Sequence, residues 1–90
     1  MILARQIRVT GNVQGVCFRS FIADKVKEIG GLSGLVQNED DGSVYIEVEG
    51  EREKIKELVI ACYLSNGVAS VENVNVHRAE VKECEGFKVK

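Results

Sequence analysis

The chain has 90 residues, 44% hydrophobic and 29% charged, with a formal net charge of −2; this is the make-up of one ordinary water-soluble domain, not of a disordered or fibrous chain. No apolar run approaches the roughly 20 residues that span a bilayer, and the charges are interspersed without the basic stripe of a nucleic-acid binder. Three cysteines without a CxxC spacing and a single histidine, His77, favour reduced thiols over a zinc site or a disulfide framework. The start "MILARQIRVTG" turns charged too soon for a signal peptide, so a cytoplasmic protein with no membrane and no nucleic-acid partner is expected.

In "RQIRVTG", Ile7 and Val9 alternate with Gln6, Arg8 and Thr10, the pattern of a half-buried strand. From Phe18 the period changes. Phe18, Phe21, Ile22, Val26 and Ile29 recur at helical spacing, and Gly30-Gly31 stop the helix. "LSGLVQN" predicts a second strand and "EDDG" a hairpin turn. "SVYIEVEG" returns with Val44, Ile46 and Val48 on one face. A second helix starts near Glu51, with Ile55, Leu58, Val59 and Cys62 as its buried stripe and Asn66-Gly67 as its end. "VASVENVNVHRAEV" predicts a fourth strand, irregular at its start. "EGFKVK" predicts a short last strand with Phe87 and Val89 inward.

Each helix has a single apolar side, so both must cover one face of the sheet. The expected fold is α+β: a ferredoxin-like βαββαβ sandwich with an antiparallel or mixed sheet and a short extra C-terminal strand. In that topology the first two strands run parallel with the third between them. Their C-terminal ends then share one rim, which brings the loop at 12–19 beside Gln37 and Asn38.

That loop, "GNVQGVCFR", lies where a strand hands over to a helix. Gly11 and Gly15 permit a sharp turn, and successive N–H groups at a helix N-terminus favour an anion. Arg19 falls in the first helical turn, where the helix dipole mildly disfavours a cation. A counter-anion gripped by the guanidinium resolves that conflict. A Walker loop is excluded by the absence of GxxxxGK, and a cysteine-dependent phosphatase by the single residue between Cys17 and Arg19. On these residues alone, an anion clamp and a solvated surface arginine are equal readings.

"GNVQGVCFR" resembles the acylphosphatase signature, G-x-V-Q-G-V-x-F-R, at every fixed position, and "GLVQNEDDGSVYIEVEG" resembles the family's second block. The resemblance implies a single acylphosphatase-like domain over residues 1–90. It implies hydrolysis of small acyl phosphates to carboxylate and inorganic phosphate, without metal, cofactor or covalent enzyme intermediate. By the same resemblance Arg19 and Asn38 are the catalytic pair, and Gln14, Gly15, Val16, Cys17 and Phe18, with Arg19, form the phosphate cradle. Leu35 stands where the family usually has an aromatic residue, Gln37 where a basic one is common, and Val68 where a proline is frequent.

An acyl phosphate needs little activation. Arg19 suits charge neutralisation, and Asn38 can orient a water without acting as a base. Asp40 and Asp41 read as turn formers, Tyr45 as a sheet-surface residue, and His77 and Cys84 as structural or solvated. A monomer is expected. The alternative function is a non-enzymatic ferredoxin-like module that binds RNA or a small effector. RNA recognition on this fold uses strand aromatics, yet the first strand has none and the third only Tyr45.

Overall fold

The computed structural model describes residues 1–90. In chain order it forms β1 (Ile2–Asn12), α1 (Phe18–Ile29), β2 (Ser33–Asn38), β3 (Val44–Glu51), α2 (Arg52–Leu64), β4 (Ser70–Ala79) and β5 (Phe87–Val89). The sheet order is β4-β1-β3-β2-β5. β3 runs antiparallel to both β1 and β2, so β1 and β2 point the same way, and β5 joins β2 in parallel. This is the expected ferredoxin-like α+β arrangement with its extra strand.

The strand alternation decides which side chains meet the helices. Ile7 and Val9 of β1, Val36 of β2 and Val44, Ile46 and Val48 of β3 are buried. Facing them are Phe18, Ile22 and Val26 of α1 and Ile55, Leu58 and Cys62 of α2, also buried. Burying each of the larger of these side chains contributes roughly 1.5–3 kcal/mol. Burial pushes the Cys62 thiol up to about 12, so it packs as a small apolar side chain.

Three local features differ from the expectations or sharpen them. The irregular start of β4 is a register shift opposite Thr10 and Gly11. Gly11 has φ 125°, and a Cβ there would overlap the Ser70 carbonyl, so only glycine fits. The second helix stops at Leu64, before Asn66, because Ser65 turns to φ 64°. Val89, expected inward, is 51% exposed. β5 is a three-residue edge strand, and only Phe87 reaches the core, as a partly buried side chain.

The connection 80–86 leaves one sheet edge at β4 and arrives at the other at β5. It crosses the face opposite the helices, where Glu49 points because Val48 points inward. The Glu49 carboxylate accepts the Lys82 N–H and, at 3.0 Å, the Cys84 N–H, and Lys82 Nζ lies 3.8 Å from Glu47. The bond from the Lys82 N–H, followed by that from Cys84, holds the Glu49 carboxyl below its ordinary range despite opposing desolvation. A depressed carboxyl pKa stabilises the fold fully above the unfolded-state value, and that contribution is lost as pH falls through the folded-state value. Glu49→Gln is therefore expected to lower Tm at neutral pH by roughly 4–8 °C, the equivalent of about 1 kcal/mol. The gap from wild type should narrow below about pH 4, as followed by circular dichroism melts across pH.

Candidate active site

Five residues join β1 to α1. Val13, the first of them, and Phe18, which follows the last, are both 1% exposed, so each end is anchored in the core. Between them Gly15 and Cys17 face solvent. Gly15 has φ 73°, and Cys17, the residue preceding the helix, sits at φ 59°, ψ 25°. A left-handed non-glycine residue costs roughly 1–2 kcal/mol. The main-chain N–H groups of residues 14 to 17 donate to no acceptor in the chain. The helix starts with no side-chain cap and no acidic residue in its first turn. Its positive end therefore faces the loop with no acidic side chain of its own first turn to offset it.

The loop side chains divide by role. The Gln14 amide donates to the Glu39 carbonyl at 2.7 Å and the Ser43 carbonyl at 2.9 Å. It clamps the loop to the β2–β3 turn, so its side chain is committed within the fold. Phe18 is likewise committed to the core through its ring. The turn is closed by Asp41, whose Oδ1 accepts the Ser43 N–H at 2.9 Å and the Ser43 hydroxyl at 2.6 Å. These bonds, chiefly the one from the hydroxyl, hold the Asp41 carboxyl below its usual range. Arg8 donates to Ser43 Oγ at 2.9 Å and lies 3.8 Å from both Glu39 and Asp41, which offsets the acidic charge of the turn. Asp40 and Asp41 are exposed turn residues, as expected.

Arg19 and Asn38 come from α1 and the end of β2. Arg19 Nη1 donates to the main-chain oxygen of Lys90, and the Lys90 N–H donates at 2.8 Å to the Val36 carbonyl. The guanidinium is thus tied to the residue that follows β5, and that residue is bonded to β2 two positions before Asn38. Asn38 pairs with Val44 across β3. Its Oδ1 is the one buried side-chain nitrogen or oxygen in the protein without a hydrogen-bond partner. A buried acceptor left open is unfavourable unless something else fills it.

One contributor escaped the reading of the sequence. Asn66 Nδ2 donates at 2.8 Å to the Val16 carbonyl inside the loop. Its Oδ1 accepts the N–H groups of Val68 and Ala69 at 3.0 and 2.8 Å. "Asn-Gly" signalled a chain turn; that its amide would reach a residue 50 positions earlier had no signal in the local pattern. Tyr45 is a sheet-surface residue whose hydroxyl donates to Glu47 at 2.8 Å, with Arg8 over its ring. Burial, then the Glu47 bond, pushes the phenol up to about 12. His77 is exposed on β4, opposite Gln6. All three cysteines are free thiols. No helix is long and apolar enough to cross a membrane.

The acylphosphatase family model matches residues 5–89. Over 77 residues the chain is 43% identical to the acylphosphatase of Shewanella amazonensis, which covers 86% of this chain and 84% of that protein. The acylphosphatase structure from Coxiella burnetii superposes with a TM-score of 0.92 at 32% identity, covering 99% of this chain and 93% of that one. That from Bacillus subtilis gives 0.93 at 30% identity, covering 100% and 99%. A signature loop set between a strand and a bare helix N-terminus, in a chain that its relatives match nearly end to end, places this protein in the acylphosphatase family.

Proposed function

We propose that this acylphosphatase hydrolyses small acyl phosphates by cradling the phosphoryl group in the main chain of residues 14–18. Arg19 is the cationic clamp and Asn38 positions the attacking water. The carrying observation is the run of N–H groups at 14–17 without an acceptor, set at the uncapped N-terminus of α1 beside Arg19. Phosphoryl oxygens supply the acceptors that the loop lacks, and a guanidinium matches them in a bidentate fork.

In the reaction, a water oxygen bonds to phosphorus as the bond from phosphorus to the acyl oxygen breaks. The carboxylate leaves with the bonding electron pair, and the water proton passes to a phosphoryl oxygen of the substrate. No protein base is required, because the leaving group is already stable. What the protein supplies is orientation and charge. Asn38 aims the water through its side-chain amide, which can accept with its oxygen and donate with its nitrogen; the Asn38 Oδ1 has no partner in the fold that would compete for it. Three free thiols fit a reducing cytoplasmic setting. The RNA-binding alternative draws no support, since the one aromatic on the open faces of β1 and β3 is engaged with Glu47 and Arg8.

Release of inorganic phosphate from benzoyl phosphate and acetyl phosphate, followed in EDTA, tests the proposal. The protein is expected to release phosphate well above the buffer rate, with free phosphate a competitive inhibitor. Hydrolysis no faster than in buffer would sink the reading.

A further inference from the structure

The tie between Asn66 and the loop constrains more than the carbonyl it touches. A trans peptide is planar and rigid, with its carbonyl and the following N–H pointing in opposite directions; the chain has no cis peptide. Fixing the Val16 carbonyl toward the α2–β4 turn therefore fixes the Cys17 N–H toward the other side, where it meets no acceptor in the chain. We infer that Asn66 is a positioning residue for the phosphoryl group: it holds the Val16–Cys17 peptide plane so that the Cys17 N–H is aimed at the anion. The inference rests on the loop being the phosphate cradle.

Two observations give the tie its importance. Cys17 is left-handed, at φ 59°. Flipping the Val16–Cys17 plane rotates that φ toward ordinary negative values, so the plane unaided is drawn out of its present orientation. The flipped plane would point a carbonyl oxygen at the phosphate and remove one donor. The backbone penalty at Cys17 and one amide–carbonyl hydrogen bond are of similar size, so the Asn66 bond is large enough to decide which way the plane faces.

Asn66 is also built to donate. Its Oδ1 is occupied by two N–H groups of its own turn, from Val68 and Ala69, and Ser65 Oγ donates to the Ala69 carbonyl at 2.8 Å to close the same turn. A flipped amide would set its NH2 against those N–H groups, so the network leaves only the nitrogen facing Val16. With Gln14 tied to the β2–β3 turn on the other flank, the loop is held from both sides.

The test uses two variants with opposite side effects. Asn66→Asp keeps an acceptor for the turn but cannot donate to the Val16 carbonyl, and it adds a negative charge. Asn66→Ala removes the donor without adding charge. The Cys17 amide is followed by 1H–15N spectra during titration with inorganic phosphate, and KM and kcat are measured with benzoyl phosphate. In both variants phosphate affinity is expected to fall about tenfold or more, with KM rising more than kcat falls and the Cys17 amide losing its response to phosphate; tenfold is the scale of one charge-assisted bond. Wild-type phosphate affinity in Asn66→Ala with the Cys17 shift retained overturns the inference, and a loss confined to Asn66→Asp does the same by assigning the effect to charge. Phosphate that moves no amide of residues 14–19 in the wild-type protein overturns the loop reading itself, and this inference with it.

Discussion

Arg19→Ala is expected to lower kcat by about 10²–10³-fold or more, the scale for removing a main electrostatic donor from developing charge. It is also expected to abolish most of the stabilisation that phosphate confers. For the intact site, phosphate at a hundred times its Kd raises stability by about 2.7 kcal/mol; without the guanidinium, only the loop N–H groups hold the anion. The fold should survive. The side chain is partly exposed, and its one bond in the protein goes to the Lys90 main chain. Losing that bond leaves Lys90 tied to the fold by its N–H to Val36, while removing a cation from a positive helix end acts in the opposite sense. Calorimetry of both proteins, with and without phosphate, separates these effects. A variant still strongly stabilised by phosphate and still turning over acyl phosphates would place the anion site elsewhere.

Asn38→Ala is expected to behave differently. Turnover should fall by at least about 10²-fold, the cost of a misplaced reacting group, while phosphate affinity stays near wild type because loop and guanidinium are untouched. Stability should hold or rise, since the substitution deletes a buried acceptor that has no partner in the fold. A residue that weakens the resting protein yet is needed for turnover is a familiar sign of work done on the substrate. Single-turnover kinetics, a phosphate titration and a thermal melt on the same preparation check all three points. Near-normal turnover would remove Asn38 from the mechanism.

The architecture was legible because its signals are local and periodic. Ile7 and Val9 alternate, Phe18 to Val26 recur at helical spacing, and Asp41-Gly42 mark the hairpin; the two-sided helices that would have allowed a different layering are absent. The shared rim of Arg19 and Asn38 followed from topology before any coordinates. What escaped was decided by contacts remote in the chain. Gln14 keeps its place in the expected cradle only through its main chain; that its amide binds the hairpin had no local signal, because this partner exists only once β1 and β3 are paired. Asn66 stood out only as a turn residue. Val89 fits the inward alternation yet lies beyond the end of the core, on a short edge strand. The left-handed backbone at Cys17 has no marker at all, because a non-glycine residue gives no sign of positive φ.

The pairing scheme of β1 also bears on how the protein acquires its activity. Ile7 meets Ile46 on one side and Val76 on the other, so the middle of the sheet closes only after most of the chain has been searched. Gln14 with Glu39, Asn66 with Val16 and Arg19 with Lys90 join the same distant segments. Loop-closure entropy opposes each of these contacts until the others are in place, which puts this topology among slower-folding small domains than helical bundles of equal size. The chain has no proline, so the slow isomerisation step that often delays recovery in refolding proteins is missing. Turnover after dilution from denaturant is therefore expected to return in step with completion of the sheet, since the loop, the end of β2 and the guanidinium meet only through these long-range pairings.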